Sequence, residues 1–152
     1  MQTVSTVMTA VPVTVAEGEK LIAAARAMRD NAVGAVMVVR DGQLHGVVTD
    51  RDIVIRGLAD GRDAAELSVG DVASPDPVAV RAEDSVEVAI GLMRDRAVRR
   101  LPVVEDGRPV GLVSIGDLTV GQDEDSALVG ICAAPPNSWP PTGSRPASGG
   151  GG

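Results

Sequence analysis

Two short stretches of this chain pair a hydroxyl with a carboxylate at a spacing that chemistry can use. The first is Gly46-Val47-Val48-Thr49-Asp50-Arg51-Asp52 and the second is Gly111-Leu112-Val113-Ser114-Ile115-Gly116-Asp117. In each, a Thr or Ser ends an apolar run that reads as a buried strand, and an Asp follows three residues later, where a helix would begin. Two readings share this spacing. In one, Thr49 and Ser114 cap the helices, and Asp52 and Asp117 sit at the third helical position, where the helix dipole favours negative charge. In the other, the free N–H groups of the helix start attract a phosphate, and the carboxylate accepts hydrogen bonds from a ribose diol.

Other chemistry is scarce. The chain has no Gly-x-x-x-x-Gly-Lys phosphate loop, no Gly-x-Ser-x-Gly elbow and no His-Glu-x-x-His zinc motif. Nothing pairs a nucleophile with a base, so an enzyme is not expected. The single His45 has no second histidine with which to share a metal and reads as a strand residue facing solvent or a partner. Cys132, also the only one of its kind, cannot form an internal disulfide; it reads as chemically idle and fits a reducing, cytoplasmic compartment. Asp123-Glu124-Asp125 reads as a solvated charge run, so no metal is expected.

Composition sets the remaining bounds. The chain has 152 residues, is 44% apolar and carries a formal charge of −7. That length suits one compact domain or two small halves sharing a core, and the apolar fraction excludes wholesale disorder. The acidic balance argues against nucleic-acid binding, which needs a cationic face. No uncharged run is long enough for a membrane span, and no signal peptide is expected. There is no Phe and no Tyr, and the single Trp139 sits in a proline-rich stretch. The core must be aliphatic, and a planar ligand would lie between aliphatic side chains.

The elements that must position the two motifs come in duplicate. Sliding the chain by 65 residues aligns 7–53 with 72–118, and 17 of the 47 pairs are identical. A match of this density is read as an internal repeat. Each copy predicts strand, helix, strand, strand, helix. Val13–Val15 and Val78–Val80 are short extended runs after a proline, followed by helices over Glu19–Asn31 and Asp84–Ala97. In the second helix Val86, Ala89, Ile90, Met93 and Ala97 follow the 3.6-residue period, with Asp84 or Ser85 as N-cap. Val88 and Leu92 form a pair off that stripe, suited either to a broad core face or to a partner. Ala35–Arg40 and Leu44–Thr49 flank Asp41-Gly42, and Leu101–Glu105 and Val110–Ser114 flank Asp106-Gly107, both two-residue hairpin signals. Asp50–Leu58 and Gly116–Val120 read as closing helices, and Thr3–Met8 and Val69–Ala73 as helical lead-ins. The division is 1–62 for the first repeat, 63–122 for the second, and an acidic, then Pro/Gly/Ser-rich tail over 123–152, read as disordered.

This duplicated unit, with its Gly-apolar-apolar-Thr/Ser-x-x-Asp ending, resembles the CBS domain, and the tandem copies resemble a CBS pair, or Bateman module. Leu44-His45-Gly46 and Thr49-Asp50-Arg51-Asp52-Ile53-Val54-Ile55 are similar to stretches of stand-alone two-CBS proteins of actinobacteria. The resemblance covers residues 1 to about 122 and implies an α/β (α+β) fold in which two β-α-β-β-α repeats pack with pseudo-twofold symmetry and leave two clefts. It implies a regulatory sensor that needs no cofactor and binds AMP, ADP, ATP or S-adenosylmethionine as a regulatory ligand. Asp52 and Asp117 would hold ribose hydroxyls, and Thr49 and Ser114 would lie near phosphate or ribose. Pro12, Val13 and Val36 in one half, and Pro77, Val78 and Leu101 in the other, would hold the base. The family's basic pair before a Leu-Pro-Val strand matches Arg99-Arg100 in the second repeat, whereas the first has Gly34-Ala35 there. Arg99 and Arg100 would then serve phosphates, or else be ordinary surface residues. A homodimer, with an unidentified effector protein as a further partner, is expected. The alternative is a ligand-free dimeric stress-response or scaffold protein acting through surface contacts.

Overall fold

The computed structural model describes residues 2–119. The acidic run at 123–125, Cys132 and the tail lie outside the described residues. The first repeat contains β1 (Thr14–Ala16), helix α2 (Leu21–Asn31), β2 (Ala35–Arg40) and β3 (Gln43–Thr49), preceded by a short helix α1 (Val4–Val7). It closes with one helical turn, α3 (Asp50–Asp52), that runs into a π-helical segment, Ile53–Leu58, in which the Ala59 N–H reaches back to the Val54 carbonyl at 2.8 Å. The second repeat follows the same order: α4 (Val69–Val72), β4 (Ser74–Pro75), β5 (Val80–Arg81), α5 (Val86–Arg96), β6 (Arg100–Glu105), β7 (Arg108–Ser114) and α6 (Ile115–Leu118). The mixed α/β fold expected from the sequence is the one observed.

Local rules account for most of these bounds. Asp41 and Gly42 have φ of 51° and 76°, and Asp106 and Gly107 have 50° and 77°, the paired left-handed geometry of a type I′ hairpin. The tips meet, with the Leu44 N–H donating to the Gly107 carbonyl at 2.9 Å. Each hairpin then carries a bulge: Val38 pairs with Gly46 but Val39 with Leu44, so His45 is the extra residue and stays exposed, as expected. Val110 occupies the same place in the second hairpin. Both long helices begin two residues later than their sequence bounds. The Glu19 and Asp84 carboxylates accept the Ala16 and Arg81 N–H at 2.7 and 2.8 Å and hold a turn ahead of the helix. Ser85 is the N-cap of α5, accepting the Val88 N–H at 3.3 Å. Within α5 only Val86, Ala89 and Met93 of the expected stripe are buried. Ile90 is exposed, Ala97 is the exposed left-handed cap, and Leu92 packs on the second core while Val88 faces out.

The two cores do not follow the sequence order of the repeats. The first sheet runs β1-β2-β3-β4, so Ser74–Pro75 pairs with β3 of the first repeat. Its core includes Leu67, Val69 and Val72 from the lead-in of the second repeat. Reciprocally, Thr9 bridges Leu112, Thr3 bridges Ser85, and Val4, 0% exposed, lies in the second core with Val80, Leu101 and Val113. Backbone bonds repeat the exchange 65 residues apart: Val4 N–H to the Asp84 carbonyl and Val69 N–H to the Glu19 carbonyl, both 2.8 Å. In α4 a capping box forms, in which the Ser68 N–H and hydroxyl hold the Asp71 carboxyl below the ordinary carboxylate range.

Glycine is required where a lead-in crosses a strand. A Cβ on Gly111 would lie 2.6 Å from the Thr9 carbonyl oxygen, and one on Gly46 would lie 2.8 Å from that of Ser74. Gly111→Ala is therefore expected to destabilise the protein by about 1–3 kcal/mol, the usual cost of overpacking. Urea denaturation measures this, and an unchanged midpoint would mean that the first lead-in does not rest on β7.

Candidate functional site

Each motif pair is first of all a helix cap. The Thr49 N–H donates to Asp52 Oδ2 at 3.0 Å, and the Asp52 N–H donates to Thr49 Oγ1 at 3.1 Å. In the second repeat the Ser114 N–H reaches Asp117 Oδ2 at 2.7 Å, and the Asp117 N–H reaches Ser114 Oγ at 3.3 Å. The capping reading thus holds in both copies. The copies still differ, because the Ser114 hydroxyl also donates to Asp117 Oδ2 at 2.9 Å. The Thr49 hydroxyl makes no such bond to Asp52 among the described residues, which leaves its proton and the Asp52 carboxylate with more capacity for a further partner.

Thr49 and Asp52 border a cavity of about 520 Å³ built from both repeats. The first repeat contributes these two residues with Arg51 and Ala35, and the second contributes Pro77, Val78, Arg99, Arg100 and Pro102. Strand alternation decides which residues of β2 and β6 reach it. Ala35 and Pro102 line the cavity, whereas Val36 and Leu101, 1% and 0% exposed, turn to the opposite faces and fill the two cores. The side chains of Val36 and Leu101 are thus core residues, and what either can offer a ligand is its backbone. Pro12, Val13, Ser114 and Asp117 are not part of this cavity, and Val13 packs against the first core.

The position of Arg51 in its motif suits either a further cation for phosphate or an ordinary first-turn helix residue, and it lines the cavity with Arg99 and Arg100. Asp76, held at φ 50° on the segment leading to Pro77, is a lining residue that no motif marked. Arg100 crosses toward the first repeat at Gly34. A Cβ placed on Gly34 would lie 3.5 Å from both terminal nitrogens of Arg100 and 3.1 Å from Asp50 Oδ2.

Comparison with known proteins supplies the context. The family model described as CBS domain matches residues 4–58 and 69–124. The CBS domain-containing protein YhcV of Bacillus subtilis (strain 168) is 41% identical over 54 residues, which is 36% of this chain and 39% of that protein. The crystal structure of Hypoxic Response Protein I with two coordinated zinc ions matches with a TM-score of 0.72 and 38% identity, covering 78% of this chain and 98% of that one. The CBS domain pair of protein MJ0100, in complex with 5′-methylthioadenosine and S-adenosyl-L-methionine, matches with a TM-score of 0.71 at 21% identity, covering 78% and 98%, a likeness of fold. Zinc requires several convergent nitrogen, sulfur or carboxylate donors. Among the described residues no three His, Cys, Asp or Glu side chains form such a group.

Proposed function

The chain belongs to the CBS-domain family, and we propose that this CBS pair is a regulatory module that binds an adenosine-containing ligand in the cavity between its repeats. AMP, ADP, ATP and S-adenosylmethionine are the ligand class. One observation carries the reading: a single cavity gathers the Asp52 carboxylate, the Thr49 hydroxyl and three guanidinium groups beside aliphatic residues. Its volume of about 520 Å³ lies within the usual range for a small-molecule site. Asp52 accepts from the ribose diol, Thr49 lies beside it, Arg99 and Arg100 meet phosphate, and Pro77 and Val78 flank the base. The protein MJ0100, a CBS pair of the same fold, is complexed with adenosyl ligands. Because the lining comes from both repeats, a bound ligand bridges them, and it shifts their packing to the extent that it favours one arrangement over another. Such a module acts on a separate effector protein, as a homodimer in the cytoplasm. Among the described residues no helix is long and apolar enough to cross a membrane.

A thermal-shift panel of AMP, ADP, ATP, NAD and S-adenosylmethionine tests the reading. At one hundred times Kd a ligand adds about 2.7 kcal/mol of stability, which raises Tm by several degrees for a domain of this size. A flat panel overturns it. The half-exposed Val54 and Ile55 on the π-helical segment, with Leu58, favour a second reading, a ligand-free homodimer that works through surface contacts. Identical melting curves across the panel together with a stable dimer in solution would select that reading.

A further inference from the structure

The charge around the cavity runs against the charge of the chain. The protein has 21 acidic residues and 14 Lys or Arg. The charged side chains that line the cavity are nevertheless Arg51, Arg99 and Arg100 against Asp52 and Asp76. Among the described residues Arg29, Arg40 and Arg81 are paired with carboxylates, and none of the three cavity arginines is. Like charges gathered around one concavity repel one another unless an anion joins them, and guanidinium groups match phosphate oxygens in forked pairs. The opposite wall is aliphatic, and Phe and Tyr are absent from the chain, so stacking on an aromatic ring contributes nothing there. The strongest discrimination available to this site is therefore electrostatic.

Resting on the adenosine reading and deepening it, we propose that the cavity selects its ligand by negative charge, taking a nucleoside triphosphate ahead of a monophosphate and a monophosphate ahead of a sulfonium compound. We assign Gly34 as the residue that makes this selection possible. Its counterpart in the second repeat is Arg99, 65 positions on. With no side chain at 34, the Arg100 guanidinium lies over the backbone of the first repeat, opposite Asp50. A Cβ at this position would touch the guanidinium at 3.5 Å and crowd Asp50 Oδ2 at 3.1 Å, and a bulkier side chain would compete with Arg100 for the space it uses.

Titration calorimetry on the full chain in magnesium-free buffer, with adenosine, AMP, ATP and S-adenosylmethionine, tests the proposal. In the wild type ATP is expected to bind at least about tenfold more tightly than AMP, and S-adenosylmethionine more weakly than AMP. Arg100→Gln and Gly34→Leu each weaken ATP binding about tenfold, the scale of one charge-assisted contact. Gly34→Leu leaves adenosine binding unchanged, and both variants flatten the salt dependence of ATP binding, because one cation no longer meets the phosphates. Melting curves without ligand show whether each variant is folded. If Gly34→Leu is not, Gly34→Val, whose methyl groups reach beyond a Cβ that already stands 3.5 Å from the Arg100 guanidinium, carries the same test. Equal binding of ATP, AMP and S-adenosylmethionine by the wild type overturns charge selection and leaves the adenosine reading standing. Unaltered ATP affinity and salt dependence in folded Gly34 variants overturn the role of Gly34. Absence of binding by all four compounds overturns both readings.

Discussion

Deleting residues 1–9 is expected to open the second repeat and leave the first largely intact. The deleted segment precedes the first repeat in sequence, but Val4 is fully buried in the second core, with Val7 and Met8 packed on it. Thr9 exchanges both backbone bonds with Leu112 at 2.9 and 3.0 Å, and the Ser5 N–H donates to the Ala82 carbonyl at 2.9 Å. Burial of one valine is worth about 1.5–3 kcal/mol, and each lost backbone bond adds about 0.5–1.5 kcal/mol. The sum is comparable to the whole stability of a small domain, about 5–15 kcal/mol. Hydrogen exchange read by mass spectrometry locates the damage. Protection should vanish around Val103 and Val113 and persist around Val38 and Val48, which lie in separate cores. Loss confined to the first repeat would contradict the crossed arrangement.

Asp52→Asn is expected to abolish most of the ligand-induced rise in Tm, while Asp117→Asn preserves it. An asparagine side chain keeps an oxygen for the Thr49 N–H, so the helix start survives and only the charge offered to the ribose diol is lost. Removing a charged acceptor costs about 1.5–3 kcal/mol of binding, or roughly 10- to 150-fold in Kd. Asp117 caps its own helix in the same manner but lies outside the cavity and is already engaged by the Ser114 hydroxyl. Thermal-shift titration of both variants with ATP separates the cases, and an equal loss in the two would mean that both repeats hold ligand through their aspartates.

The secondary structure was legible because local chemistry dictates it. The Asp-Gly pairs specified their hairpins, and Thr49 and Ser114 specified their caps. The misplaced helix starts arose where Glu19 and Asp84 bond a preceding turn, a local competition that periodicity does not register. Ile90 followed the period of the stripe but lay at the edge of a narrow buried face. The exchange of lead-ins was not legible, because a 65-residue repeat says that α1 and α4 are alike and not which core either enters. The same limit hid the composition of the cavity. Thr49 and Pro77 meet through tertiary packing between copies, whereas the division of β2 and β6 into core and cavity faces follows from alternation and was available at Val36 and Leu101.

The reciprocal crossing has a consequence for assembly. Each half of the chain holds the piece that completes the other, with Val4 donated one way and Val69 the other. Whether the donor belongs to the same polypeptide is a matter of how the segment around 59–66 folds back, not of the contacts themselves. Two molecules whose connectors extend instead of turning would satisfy every such contact by trading halves, so this architecture carries within it a low-cost route to domain-swapped dimers.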